Sequence, residues 1–203
     1  MPLTLDHLAV ACTDLAEGTA WVEAELGVKM QPGGKHLRYG THNTLLGLAD
    51  GLYFEVIAVD PDEPPVSEAR RFGLDTFSGP PRLANWICST PDFAATLGAV
   101  PASVGIARNM QRGDLTWQIT VPDDGTLPYA GAYPTLIEWP DNVHPSKSLP
   151  DSGCRLDLLT ISHPDAEAIA AMIDLPDPRV QFLAGPPGFT AKFDTQDGAR
   201  YLC

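Results

Sequence analysis

Residues 5–15, LDHLAVACTDL, hold the reading on which the fold turns. Side chains alternate between the two faces of a strand, so His7, Ala9 and Ala11 share one side while Leu8, Val10 and Cys12 share the other. Thr13-Asp14-Leu15 then opens a helix, with Asp14 at the cap and Glu17 three positions on, the capping-box spacing. Along that helix Leu15, Val22 and Leu26 form an apolar face, leaving Glu17, Glu23 and Glu25 free to point into water. The apolar side of the strand packs on the helix, and His7 is left on the opposite side beside two small alanines. It is either a structural histidine or one member of a site assembled from distant parts of the chain.

The strand-then-helix pattern recurs at 83–99, LANWICSTPDFAATLGA, and at 156–173, LDLLTISHPDAEAIAAMI, an internal repeat. Thr90-Pro91 and His163-Pro164 place proline at the first helical position, where its missing N–H is harmless. Strand-like stretches follow each helix: 34–39, 41–48 and 52–59 in the first unit, then 103–110, 114–121 and 133–139 in the second. In the third they are 180–184 and 189–193, divided by the turn GPPG. Leu115, Trp117, Ile119 and Val121 alternate with polar residues, as in a half-buried strand. Segments 60–81 and 140–153, rich in proline and charge, read as linkers. Units of this kind cannot bury a sheet face alone and must pair around a shared core. The expected fold is α+β: paired βαβββ modules forming curled mixed sheets around a cleft, with an additional C-terminal βαββ unit. All of it is one domain over 1–203, with module one at about 1–60, a linker at 61–81, module two at about 82–140 and the C-terminal unit at about 153–203.

The 203 residues carry 13 Lys and Arg against 26 Asp and Glu, a net charge of −13. Nucleic acid is excluded as a partner, because no basic stripe exists to displace counterions from phosphates. Anionic membrane surfaces are disfavoured for the same reason. The four cysteines, Cys12, Cys88, Cys154 and Cys203, are far apart with no CxxC pair, so a four-thiolate zinc site has no support. No charged start followed by an apolar run is visible, and the apolar runs are too short for a bilayer, so a reduced cytoplasmic setting is expected. GxSxG, Walker, dinucleotide and HExxH motifs do not occur. Asp123-Asp124-Gly125 and Asp60-Pro61-Asp62 read as turns, since no calcium-loop pattern follows them.

The segments LDHLAVACTDL, GGKHLRYGTHNTLLGL (33–48), LYFEVIA (52–58), TWQITVP, YPTLIEWPDNVHP and LDLLTISHPDAEAI together resemble the glyoxalase-like domain proteins of the vicinal oxygen chelate superfamily, over nearly the whole chain. In that superfamily the first strand of a module supplies one inward ligand and the last strand a carboxylate. The resemblance therefore implies His7 and Glu55 from module one, and Asn85 and Glu138 from module two. It implies His7, Glu55 and Glu138 as metal ligands, with Glu55 and Glu138 also as catalytic proton carriers. His36, Asn43, Tyr53, Asn85 and Trp117 are the implied substrate-binding residues, with Thr41 beside them. His42 and Asn43 cannot both face inward on a regular strand, and Asn43 is the one chosen. Alternation puts Tyr53 and Ile57 on the side of Glu55, with Phe54 and Val56 in the core; Glu138 shares a side with Leu136 and Pro140, and Asn85 with Ile87. His144 and His163 also fall at family positions, but a loop or helix cap is the plainer explanation of both.

Asn85 in place of a second histidine makes the implied donor set harder and richer in oxygen, favouring manganese, magnesium or ferrous iron over nickel or zinc. Such a divalent ion would bind adjacent substrate oxygens as a Lewis acid, in an isomerase, lyase or dioxygenase. The alternative is a metal-free protein that sequesters a small organic molecule, with Tyr53, Trp86 and Trp117 as aromatic contacts. A third is an interaction module whose cleft has decayed. The expected partner is a small-molecule ligand, and the chain is a monomer or a homodimer.

Overall fold

The computed structural model describes residues 2–140 and 143–203; Met1 and two residues of the second linker, 141 and 142, lie outside the described residues. Strand β1 (Thr4–Ala11) is the middle of the larger sheet. It continues through α1 (Leu15–Leu26), β2 (Gln31–His36), β3 (Thr41–Gly47) and β4 (Tyr53–Val59). Within this half, β1 runs parallel to β4, and β4, β3 and β2 follow as antiparallel neighbours. The second half repeats the arrangement with β5 (Arg82–Ser89), α2 (Phe93–Leu97), β6 (Ile106–Arg112), β7 (Leu115–Val121) and β8 (Thr135–Glu138). Here β5 runs parallel to β8, followed by β7 and β6. Antiparallel pairing of β1 with β5 joins the halves into one sheet of eight strands, β2-β3-β4-β1-β5-β8-β7-β6. The sheet curls until its two edges approach, and Arg38 Nη1 donates across the gap to Asn109 O at 3.4 Å.

The alternation read from residues 5–15 places each face. Leu8, Val10, Cys12, Phe54 and Val56 lie in the outer core with Val22 and Leu26 of α1. Gly18 sets how closely α1 can seat: a Cβ there would collide with the Cys12 side chain and Val56. Ala9, Ala11, Ile57, Ile87, Ile119 and Ile137 line the inside of the curl. Asp14 caps α1 by accepting from the Glu17 N–H at 2.9 Å. The prolines do not open their helices, because other groups take the first free N–H. Asp92 caps α2 by accepting from Ala95 N–H, leaving Pro91 outside. In the third unit His163 Nδ1 accepts from Asp165 N–H, so the turn holds Pro164 and α3 (Ala166–Ala170) starts after it.

That unit holds β9 (Arg155–His163), α3, β10 (Val180–Ala184), β11 (Gly188–Thr195) and β12 (Gly198–Leu202), one strand more than its sequence suggests. Its sheet order is β10-β9-β11-β12, with β9 parallel to β10 and antiparallel to β11, so its pairing does not copy the modules. It covers the outer face of the larger sheet, where Phe193 meets Phe54 and Phe182 meets Trp86 edge-on at 5.9 and 6.0 Å. Trp86 is accordingly a core residue pointing away from the inside of the curl, its Nε1 donating to Gly131 O.

Segment 60–81 does more than connect. A single 3-10 turn, Arg71–Gly73, sends Phe72 and then Leu74 into the inner cluster. Among the described residues no helix is long and apolar enough to cross a membrane.

Candidate functional site

His7 on β1 and Glu55 on β4 sit two register positions apart on neighbouring parallel strands, because His7 pairs with Tyr53 and Ala9 with Glu55. Both point to the inside, and His7 Nε2 lies 3.7 Å from Glu55 Oε2. His7 Nδ1 donates to the Asp6 carboxylate at 2.7 Å. The Tyr53 ring stacks on the imidazole with centroids 4.1 Å apart and brings its hydroxyl 3.3 Å from Nε2. Asn43, on β3, donates from Nδ2 to Glu55 Oε1, while its own carbonyl accepts from Gly34 N–H and Arg112 Nη1. Asn43 is thus a positioning residue for the carboxylate, and its neighbour His42 lies outside this network near Asp60.

Two further residues close the site. His36, almost wholly buried, holds Thr41 Oγ1 with Nδ1 and accepts from Arg71 Nη2 with Nε2 at 3.4 Å. Guanidinium has no lone pair to give, so Nε2 must be the acceptor and Nδ1 carries the proton. Arg71 itself is 3% exposed, and its Nη2 lies 3.9 Å from Glu55 Oε1. Phe72 beside it adopts φ 64°, a left-handed conformation uncommon for a bulky residue, which turns the preceding side chain inward. With Arg112, Trp117, Ile119, Ile137 and Trp139, these groups enclose about 20 Å³ of free space, room for one water. Trp117 and Trp139 also line an open groove of about 1160 Å³ outside it.

The charges are mutually set. Burial alone would push the Glu55 carboxyl up, but the His7 hydrogen bond and the Arg71 charge outweigh it and hold it well below the usual carboxylate range. Burial also works against the His7 imidazolium, yet Asp6 and Glu55 together raise it above its ordinary value. For Asp6, bonds from His144 and His7 overcome burial and bring the carboxyl down to about 2. His36 goes the other way: burial and the nearby Arg71 charge keep it neutral, well below its ordinary value.

The site residues expected from sequence divide accordingly. His7, Glu55, His36, Asn43, Tyr53 and Trp117 are brought together. Glu138 is not. Its strand-mate Ile137 lines the chamber, so alternation turns Glu138 to the other face, opposite Gln118 and toward the outer groove. Asn85 is also separate: its amide donates to Thr135 Oγ1 at 2.8 Å and its carbonyl accepts from Trp86 N–H, satisfying it within the sheet. His144 joins from the second linker by bonding Asp6 at 3.2 Å, while His163 stays at the start of α3. Sequence reading missed Arg71 altogether; its signal was the lone Arg-Arg doublet before Phe72-Gly73 in an otherwise acidic, proline-rich segment.

A divalent metal does not fit these residues. Among the described residues no three His, Cys, Asp or Glu side chains converge to hold an ion. Without Glu138 the expected set shrinks to His7 and Glu55, and Glu55 Oε1 already faces Asn43 and the Arg71 guanidinium. A fixed cation occupies the place where the ion's charge would be needed.

A family model described as glyoxalase-like domain matches residues 5–175. No curated protein matches the chain in sequence. Among solved structures, a hypothetical protein from Staphylococcus aureus is similar with TM-score 0.66 and 15% identity, covering 92% of this chain and 88% of its own. Methylmalonyl-CoA epimerase from Streptomyces coelicolor gives TM-score 0.45 at 18% identity, covering 68% of this chain and 98% of that one. The Mycobacterium tuberculosis methylmalonyl-CoA epimerase gives 0.42 at 19%, covering 67% and 87%.

Proposed function

The chain belongs to the glyoxalase-like domain family, and we propose that it is a proton-transfer enzyme acting, in the His7–Glu55 chamber, on a small organic molecule that carries adjacent oxygens. One observation carries this reading: an imidazole, a carboxylate and a guanidinium buried together in a nearly closed aromatic chamber. Burying ionisable groups is costly, and in a cleft such perturbed groups are where acid–base chemistry is expected.

Protonated His7 is the acid and ionised Glu55 the base. Glu55 takes a proton from the carbon next to a substrate carbonyl, and the C–H electron pair forms the new C=C bond. The carbonyl π pair moves to its oxygen, which takes the proton of His7 Nε2. Asp6 orients the imidazole through Nδ1, and Asn43 fixes Glu55 Oε1. In the resting site His7 and Arg71 keep Glu55 weakly basic; a substrate oxygen that engages those partners loosens their hold, so basicity rises when it is needed. Isomerisation and lyase reactions share this first step. The divalent metal implied by the resemblance has no part in it.

A second reading, a binding protein without turnover, draws on the contrast between about 20 Å³ inside and about 1160 Å³ in the groove outside. Proton NMR in deuterated water separates the two. Small 2-oxo and 2-hydroxy compounds incubated with the protein should exchange the C–H proton beside the oxygen, and Glu55→Gln should stop the exchange. Compounds that raise the melting temperature without any exchange would sink the enzyme and leave the binding protein.

A further inference from the structure

Of the polar side chains lining the chamber, Arg71 alone keeps a buried nitrogen, Nε, with no hydrogen-bond partner among the described residues. Among the described residues its side chain makes a single hydrogen bond, the 3.4 Å contact to His36. The approach to Glu55, at 3.9 Å, is too long for an N–H···O hydrogen bond. A guanidinium carries five N–H donors in a rigid fork that matches a carboxylate two at a time. Here the fork is 3% exposed and largely unused. A buried charge left in this state is expensive unless something else completes it.

We infer that Arg71 anchors a carboxylate: the molecule taken into the chamber is an organic acid, its carboxylate held on the Arg71 fork and its remainder lying along Trp117 and Trp139 toward the outer groove. The inference deepens the proton-transfer reading and rests on it only for the location of the chamber.

Charge supports the assignment. Arg71, Arg112 and His7 face two carboxylates, Glu55 and Asp6, so one positive charge remains in a protein whose net charge is −13. His36 cannot take up an anion as a cation would, because its Nε2 already accepts from Arg71. The rest of the lining, Phe72, Trp117, Ile119, Ile137 and Trp139, is apolar or aromatic and suits a hydrocarbon or ring behind the acid group. In the proton-transfer step the same fork would stabilise negative charge on the carboxylate next to the reacting carbon.

The test compares matched acid and amide pairs, propionate with propionamide and phenylacetate with phenylacetamide, by calorimetry on the intact protein, with inorganic phosphate as a third probe. At least one acid should bind about tenfold or more tightly than its amide, the expectation for hydrogen bonds to a charged group. Arg71→Lys keeps the charge but loses the fork, and should remove most of that preference by weakening the acid much more than the amide. Arg112→Gln should weaken acids less than Arg71→Lys does. Equal binding of acid and amide overturns the inference, as does binding of neither at about 10 mM, roughly a hundredfold above a 0.1 mM dissociation constant. Phosphate binding in preference to the acids, or an acid preference unchanged in Arg71→Lys, overturns it too. If Arg71→Lys does not fold, the comparison in the wild-type protein and in Arg112→Gln still decides. Acid preference without C–H exchange would sink the enzyme reading alone; exchange on amides as readily as on acids would sink this one alone.

Discussion

The indole Nε1 of Trp139 donates to the Asp6 carboxylate at 3.1 Å, across 133 positions of chain. Trp139 follows the last strand of module two and Asp6 lies on the first strand of module one, so the bond fastens the halves beside the chamber. The same carboxylate accepts from His7 and His144, so side chains of both modules and of the second linker meet on it.

Asp6→Asn preserves the shape and removes that charge. Breaking a buried ion pair from one side costs about 3 kcal/mol or more, and urea denaturation should show a loss of this order. The loss should be larger at pH 6 than at pH 8, because His7 is the partner left charged. NMR should place the His7 titration at lower pH than in the wild-type protein. An unchanged His7 titration would mean that Asp6 does not set its protonation.

The pH dependence of stability has a worked sign on each side. Asp6 and Glu55 have folded values below their ordinary ones, so their contribution is present above roughly pH 4 and is lost as pH falls through the folded values. For Asp6 the move from 3.8 to about 2 corresponds to about 2 kcal/mol. His7 has a raised value, so its contribution is present below 6.5 and disappears as pH climbs through the folded value. His36 has a lowered value and therefore opposes folding increasingly as pH drops below 6.5. Melting temperatures followed from pH 3 to 9 should fall on the alkaline side in wild type but less so in His7→Asn. His36→Asn should flatten the decline between roughly pH 6.5 and 5. The reverse assignment of the two variants would refute these protonation states.

Much of this arrangement was legible in sequence, and the limits have physical causes. The resemblance set His7 and Glu55 inward, and the unbroken pairing of β1, β3 and β4 let alternation carry that choice consistently along each strand. Strand β8 has only four residues, and Thr135, Leu136 and Ile137 are buried on both faces. Glu138 was placed inward by the resemblance, and four residues are too short a run for alternation to check which face it takes. In β5 the register slips opposite Ala9 and Val10, and Asn85 ends in a bond to Thr135. The helix starts of the third unit echo the modules, yet β9 pairs parallel with β10 instead of with a last strand, since local patterns do not encode partners. Arg71 left only the Arg-Arg doublet as a signal, because its inward direction comes with a 3-10 turn that holds Phe72 at a left-handed φ, which no periodicity records.

Trp117 and Trp139 stand between groove and chamber, with ring centroids 5.3 Å apart. Both line the groove and the chamber, so a group larger than a water that enters from the groove must displace one of them. Trp117→Ala opens that wall without touching the Asp6 bond. Removing a buried indole should cost about 3 kcal/mol of stability and raise the association rate of any acid that binds. Stopped-flow fluorescence of the remaining tryptophans measures the rate. An unchanged rate in a folded variant would show that access does not pass between the two indoles.

The position of Arg71 depends on a contact remote from any ligand. Gly73 N–H donates to Gly125 O at 2.9 Å, and Gly125, at φ 70°, lies against the Arg70 carbonyl. A Cβ at 125 would collide with that carbonyl oxygen, and the positive φ penalises any side chain besides. Gly125→Ala must therefore push the Arg70–Gly73 turn away from the strand loop that holds it. Left-handed strain of this kind costs about 1–3 kcal/mol, and the displaced turn carries Arg71 outward with Phe72. Loss of stability in that range should accompany loss of acid binding, although no residue lining the chamber has changed. Gly51→Ala is the control: its φ of 77° carries the same backbone penalty, but nothing lies within 4 Å of the added Cβ. It should lose comparable stability and keep ligand affinity. If Gly125→Ala is destabilised and still binds acids as wild type does, the turn does not place Arg71, and its inward direction must come from the chamber's own contacts with His36 and Glu55.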